Sequence, residues 1–117
     1  MTRQRQLRQN NDQRWDFLAG VLPNGINPTD IDLMYERRGR FLVLEGKHEG
    51  ATFRVGQRRF YDALNAIPAF TIVHFYGNPP DEVTSFARWG HVPKPGTTDA
   101  LCNFVRRWFA WVESQDS

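Results

Sequence analysis

Apolar and polar positions alternate through "IDLMYERRGRFLVLEGK", residues 31–47. A period of two is the mark of extended chain, and two such runs around a tight basic turn read as a β-hairpin with strands at 31–35 and 41–47. Ile31, Leu33 and Tyr35 share one face of the first strand and Asp30, Asp32 and Met34 the other, while Phe41, Val43, Glu45 and Lys47 share a face of the second. A turn centred on Arg38–Gly39 sets Asp32 opposite Glu45 and Asp30 opposite Lys47. Upstream, Trp15, Leu18, Ala19 and Leu22 recur at helical spacing and predict a helix over residues 11–22, broken by "PNGINPTD"; residues 1–10 are polar and expected to fray. Downstream, "HEGATFRVG" suggests a third short strand at 52–55, and "GQRRFYDALNAI" a helix closed by Pro68. "FTIVHFYG" is an apolar run without alternation, as a strand buried on both faces requires. Residues 78–96 hold four prolines and receive no assignment. A last helix, over about 98–114, opens at "TTD" and carries Leu101, Phe104, Val105, Trp108, Trp111 and Val112 on one broad stripe, read as core packing. The order α-β-β-β-α-β-α predicts one α/β (α+β) domain over 1–117, a mixed central sheet flanked by helices.

Composition narrows the picture. A chain of 117 residues builds one modest core, and 40% hydrophobic with 14% aromatic residues supply it. The formal net charge is +2, but arginines cluster at 3–14, 37–40, 54–59 and 106–107, as surfaces that neutralise phosphates do. Cys102 is the one cysteine, so no internal disulfide forms, and a reducing, cytoplasmic setting is expected. The first residues lack the apolar stretch of a secretory signal, and no run has the length of a membrane span.

The charges on the hairpin are the unusual feature. Like charges opposed on paired strands destabilise one another unless something lies between them. A wet face with Asp30 and Lys47 as a surface ion pair is the plainer solution; a hard divalent cation, which seeks carboxylate oxygens, is the other. The next helix adds weight to the second. Phe60, Leu64 and Ile67 define its inward stripe, and Gln57 and Tyr61 fall within it, whereas Arg58, Arg59 and Asp62 point outward. An inward glutamine needs a partner, either as a helix cap or toward a site.

Asp32, then Glu45-Gly46-Lys47, then Gln57 and Tyr61 in a Q-x-x-x-Y pattern resemble the PD-(D/E)XK nuclease superfamily, most of all its RecB-like branch. The likeness covers about residues 12–77, including the order of that family's αβββαβ, restriction-endonuclease-like core. The sequence departs from the pattern in several places, among them the first helix, which has no glutamate and offers only Asp12 or Asp16 in its stead. Pro28 is separated from the aspartates, which leaves Asp30 as the alternative to Asp32, although spacing favours Asp32; and Gly46 stands where a bulkier residue is usual.

The resemblance implies Mg²⁺- or Mn²⁺-dependent hydrolysis of phosphodiester bonds in DNA. Asp32, Glu45 and the Gly46 carbonyl would hold metal, Lys47 would orient the nucleophile, and Gln57 and Tyr61 would position phosphate or water. Arg37, Arg38, Arg40, Arg58 and Arg59 are the candidate DNA contacts. The size suits an endonuclease on branched DNA, such as a junction resolvase, for which two cuts call for a homodimer. An exonuclease, a repair-complex subunit, and a non-catalytic nucleic-acid-binding module on the same fold are the alternatives. His48, His74 and His91 are too scattered for a zinc site; His74 reads as a core histidine, and His48 adjoins Lys47.

Overall fold

The computed structural model describes residues 16–26 and 28–115. The chain divides into two units, Met1–Asp30 and Ile31–Ser117. In the first, the predicted helix is corrected where it can be seen. Its opening residues lie outside the described ones, and residues 16–22 contain only a three-residue 3-10 turn, Asp16–Leu18. Gly20 turns left-handed at φ 77°, which stops a helix. Phe17, Val21 and Leu22 are exposed, so no packed stripe rewards continuing it.

The second unit is a five-stranded mixed sheet with one helix against each face, an α+β arrangement. Strands β1 (Leu33–Arg37) and β2 (Arg40–His48) form the predicted hairpin. Arg38 and Gly39 carry φ of 55° and 78°, the paired positive values of a two-residue turn whose twist matches its strands. That turn sets the register Leu33↔Leu44 through Arg37↔Arg40. The ladder ends at Leu33↔Leu44, so neither the expected Asp32–Glu45 pair nor the expected Asp30–Lys47 pair is part of it. The expected strand at 52–55 is likewise absent: residues 51–54 are irregular, and helix α1 (Val55–Asn65) begins within it. The helix is the crossover that lets β3 (Phe70–Gly77) lie parallel to β2, with Glu45↔His74 and Lys47↔Tyr76 as neighbours.

The unassigned residues 78–96 supply β4 (Val83–Arg88), antiparallel to β3, and a two-residue β5 (Lys94–Pro95). Helix α2 (Thr98–Ser114) starts where predicted, its first turn capped by the Thr97 hydroxyl, which accepts from the Ala100 amide at 3.2 Å.

The central strands β2 and β3 bury both faces, as parallel neighbours between two helices must. Leu42, Leu44 and Val73 pack with Leu101, Trp108 and Val112 of α2. Val43 and Ile72 pack with Tyr61 of α1, ringed by Phe53, Phe60, Leu64 and Trp89. Two stripe positions depart from expectation. Trp111 lies outward on α2, and Ile67 falls beyond the end of α1 and is exposed. No helix among the described residues is long and apolar enough to cross a membrane.

Candidate active site

Alternation along β2 sends Val43, Glu45 and Lys47 to the α1 face, so the strand that builds the core also delivers two charges beneath the helix. Glu45 is only 4% exposed. Tyr61, fully buried on α1, donates its hydroxyl to Glu45 Oε1 at 2.6 Å. Just before β1, Asp32 accepts the Gly46 amide at Oδ2, 3.1 Å away, which ties the aspartate to the stretch of β2 that carries Glu45. Of the two aspartates weighed from the sequence, Asp32 is thus the one joined to that strand.

The closeness shows in the acid chemistry. The Glu45 carboxyl is pushed up to about 7, first by burial and further by the neighbouring Asp32 charge and its hydrogen bond; the Tyr61 hydroxyl and the Lys47 charge pull the other way. Two carboxyl groups that share so small a space hold on to a proton that an exposed glutamate would lose.

Lys47 is fixed from two sides. Its Nζ donates to Gln57 Oε1 at 3.1 Å and lies 4.7 Å from the centroid of the Phe53 ring. The same Gln57 oxygen accepts the Arg54 amide at 3.3 Å, so the inward glutamine serves both as a cap of α1 and as a holder of Lys47. Gln57 and Tyr61, expected to position phosphate or water, bond to Lys47 and Glu45.

Gly46 also finds its reason here. A Cβ on it would sit 2.7 Å from the Phe75 ring on the α2 face, so a bulkier residue would collide with the aromatic packed under the strand.

The arginines divide into two groups. Arg37 and Arg38 at the hairpin tip bond to Glu113 of α2, at 2.6 Å and 3.6 Å, and Arg40 covers the Trp111 ring at 4.9 Å. Five steps along the strand, about 17 Å, separate Arg40 from Glu45, and these side chains are occupied on the α2 side. They do not join the cluster around Glu45. Arg58 and Arg59 are exposed on α1, and the Arg58 charge is felt by the Tyr76 hydroxyl beside Lys47.

Sequence reasoning missed Phe53, which lies in an irregular segment with no periodicity, and Trp89, whose indole meets the rings of Phe53, Tyr61 and His74. His74 is the buried histidine expected: its Nδ1 pairs with the Tyr76 hydroxyl at 2.7 Å, and burial lowers its pKa. His48 pairs with Asn78 at 3.1 Å.

Among the described residues no group of three or more His, Cys, Asp or Glu side chains is arranged around a metal position. The donors that do converge are Asp32 and Glu45, with the Gly46 main chain between them. An all-oxygen pair of carboxylates suits a hard cation that keeps several waters, and does not suit zinc or copper.

The hydrogen bond from Tyr61 gives one direct prediction. Tyr61→Phe removes a donor that favours the ionised Glu45, so the Glu45 carboxyl titrates above its wild-type value of about 7. The ¹³C shift of the Glu45 carboxyl, followed against pH in both proteins, reads this; coincident curves would contradict the assigned contact.

Compared with protein-family profiles, with curated proteins and with solved structures, the chain matches none.

Proposed function

We propose that the chain is a Mg²⁺- or Mn²⁺-dependent deoxyribonuclease of the PD-(D/E)XK kind, hydrolysing phosphodiester bonds as an endonuclease on branched or structured DNA. One observation carries the reading: three pairings, Asp32 with Gly46, Glu45 with Tyr61 and Lys47 with Gln57, gather five polar residues from the start of β1, from β2 and from α1. These are the residues on which the resemblance rests. The hairpin followed by a helical crossover to a parallel strand supports part of a restriction-endonuclease-like core; the first helix and the third strand of that order are not seen among the described residues.

Asp32, Glu45 and the Gly46 carbonyl would hold the cation, which supplies Lewis acidity that lowers the pKa of a bound water and offsets charge on the phosphate. The chain's own groups do the rest. Tyr61 orients Glu45 and favours its ionised form. Lys47, held by Gln57 and Phe53, presents a cation to the phosphoryl oxygens where charge builds up in the transition state. Arg58 and Arg59 extend positive charge along α1 for backbone contacts.

The test is cleavage of linear, flapped and four-way DNA with Mg²⁺ or Mn²⁺, where the branched forms are cut fastest and EDTA stops the reaction. Purified protein that cuts none of them overturns the reading. The sparse ligand set favours one second reading, a nucleic-acid-binding module without catalysis. Calorimetry with Mn²⁺ separates the two: the nuclease binds the ion at Asp32 and Glu45, whereas the module shows no such heat and keeps its DNA affinity in EDTA.

A further inference from the structure

One strand position sideways from Lys47, in the β2–β3 ladder, stands Tyr76, on the same face of the sheet. Adjacent strands lie about 4.8 Å apart, so the tyrosine begins where the site ends. It forms part of an open, shallow surface cleft of about 490 Å³, together with Glu49, Ala51, Thr84, Ser85 and Pro93. Its lining residues include a tyrosine, a proline, an alanine and two hydroxyl residues. The cleft's lining contains no cation; its one charged member is the Glu49 carboxylate, which the Thr84 hydroxyl holds in place. Such a cleft repels phosphate. A planar, uncharged group with N–H donors is what it takes: the ring and the proline offer stacking surface, and the carboxylate and hydroxyls accept from an amide or amine edge.

Cations stand on the cleft's flank rather than inside it. Lys47 occupies the neighbouring strand, and Arg58 is close enough for its charge to act on the Tyr76 phenol, which burial otherwise raises. Cations beside a cleft that itself holds none match the two halves of a nucleotide, its phosphate and its base. We propose that this cleft receives the base of the nucleotide whose phosphate is held at Lys47, so that the strand being cut must be unpaired at that position. The inference rests on the nuclease reading and extends it to the substrate: a paired base, stacked within a duplex, cannot enter, whereas a base at a flap, a junction or a single-stranded segment can.

The experiment uses single-stranded oligonucleotides of one sequence, each carrying one abasic residue moved stepwise along the strand, digested by the full chain with Mn²⁺. The expected result is a fall of about tenfold or more in kcat/KM when the abasic residue flanks the scissile phosphate, and little change at distant positions. Ala51→Trp, on an exposed residue, fills the cleft with an indole. It loses a similar factor on the intact strand and little more on the abasic one. Metal-dependent cleavage that ignores the abasic residue, or that proceeds equally fast on perfect duplex, overturns the cleft assignment and leaves the nuclease standing. No metal-dependent cleavage of any DNA form overturns both. Should Ala51→Trp fail to fold, the wild-type abasic series decides alone.

Discussion

Replacing Glu45 by glutamine is expected to abolish metal-dependent cleavage and, in the same protein, to make the metal-free form more stable than wild type at pH 8. The two effects share a cause. In the folded chain the Glu45 carboxyl titrates at about 7, against 4.5 for an ordinary glutamate. Between those values the native state holds a proton that the unfolded chain has released. Stability linked to this group is therefore complete below about pH 4.5, declines as pH rises, and is gone above about 7. The span corresponds to on the order of 3 kcal/mol for a side chain so well buried. Glutamine keeps the shape and an acceptor for the Tyr61 hydroxyl but never becomes a buried anion.

His74 acts in the opposite sense. Its pKa is lowered by burial, so its contribution is present above 6.5 and is lost as pH falls. Both proteins carry it, and the difference between them isolates Glu45. Urea midpoints from pH 5 to 8 should diverge steadily, with the variant increasingly the more stable. Millimolar Mn²⁺ should restore wild-type stability at pH 8 and leave the variant unchanged. Superimposable curves would remove the buried-carboxylate account, and with it the reason for a cation at this place.

Lys47→Ala should reduce kcat by about 10²–10³-fold with a much smaller change in KM, the loss that follows removal of one preorganised charge donor from a transition state. The lysine is held by Gln57 and by the Phe53 ring rather than by a carboxylate, so its charge remains available to a substrate oxygen. Folding should survive, because Lys47 is only half-buried and is not part of the apolar cluster around Tyr61, which the change leaves untouched. Single-turnover kinetics on a flapped substrate, with circular dichroism as the folding control, make the measurement. Lys47→Arg keeps the charge but replaces a compact ammonium by a wide planar fork, and should recover only part of the rate. An alanine variant that cuts at the wild-type rate would remove Lys47 from the chemistry and return it to a packing role against Phe53.

Both experiments act on a site that was largely readable before any fold was known. The hairpin register was readable because Arg38–Gly39 forms a two-residue turn, and such a turn leaves one pairing. The phase of α1 was readable because Phe60 and Leu64 mark its inner side, which brings Gln57 and Tyr61 with them. Strand β3 betrayed its double burial by lacking polar alternation, and α2 announced its start through a threonine cap.

Other features depended on partners remote in the chain. The segment at 78–96 looked like loop because its prolines and glycine break local patterns; β4 exists because the edge of β3 offers it a ladder. Nothing near the hairpin arginines foretold Glu113, some 75 residues away, which engages two of them. Phe53 and Trp89 carry no periodicity, and only the closing of α1 over the sheet makes them neighbours of the site.

By itself, then, the order of residues determined which side chains share a strand or helix face, since that follows from periods of two and 3.6 and from turn chemistry a few residues long. The folded chain alone decided how deeply Glu45 is buried, what holds Lys47, and where a cleft opens beside it. Burial, proton affinity and cavities are properties of surfaces brought together from distant segments, and no local pattern encodes them.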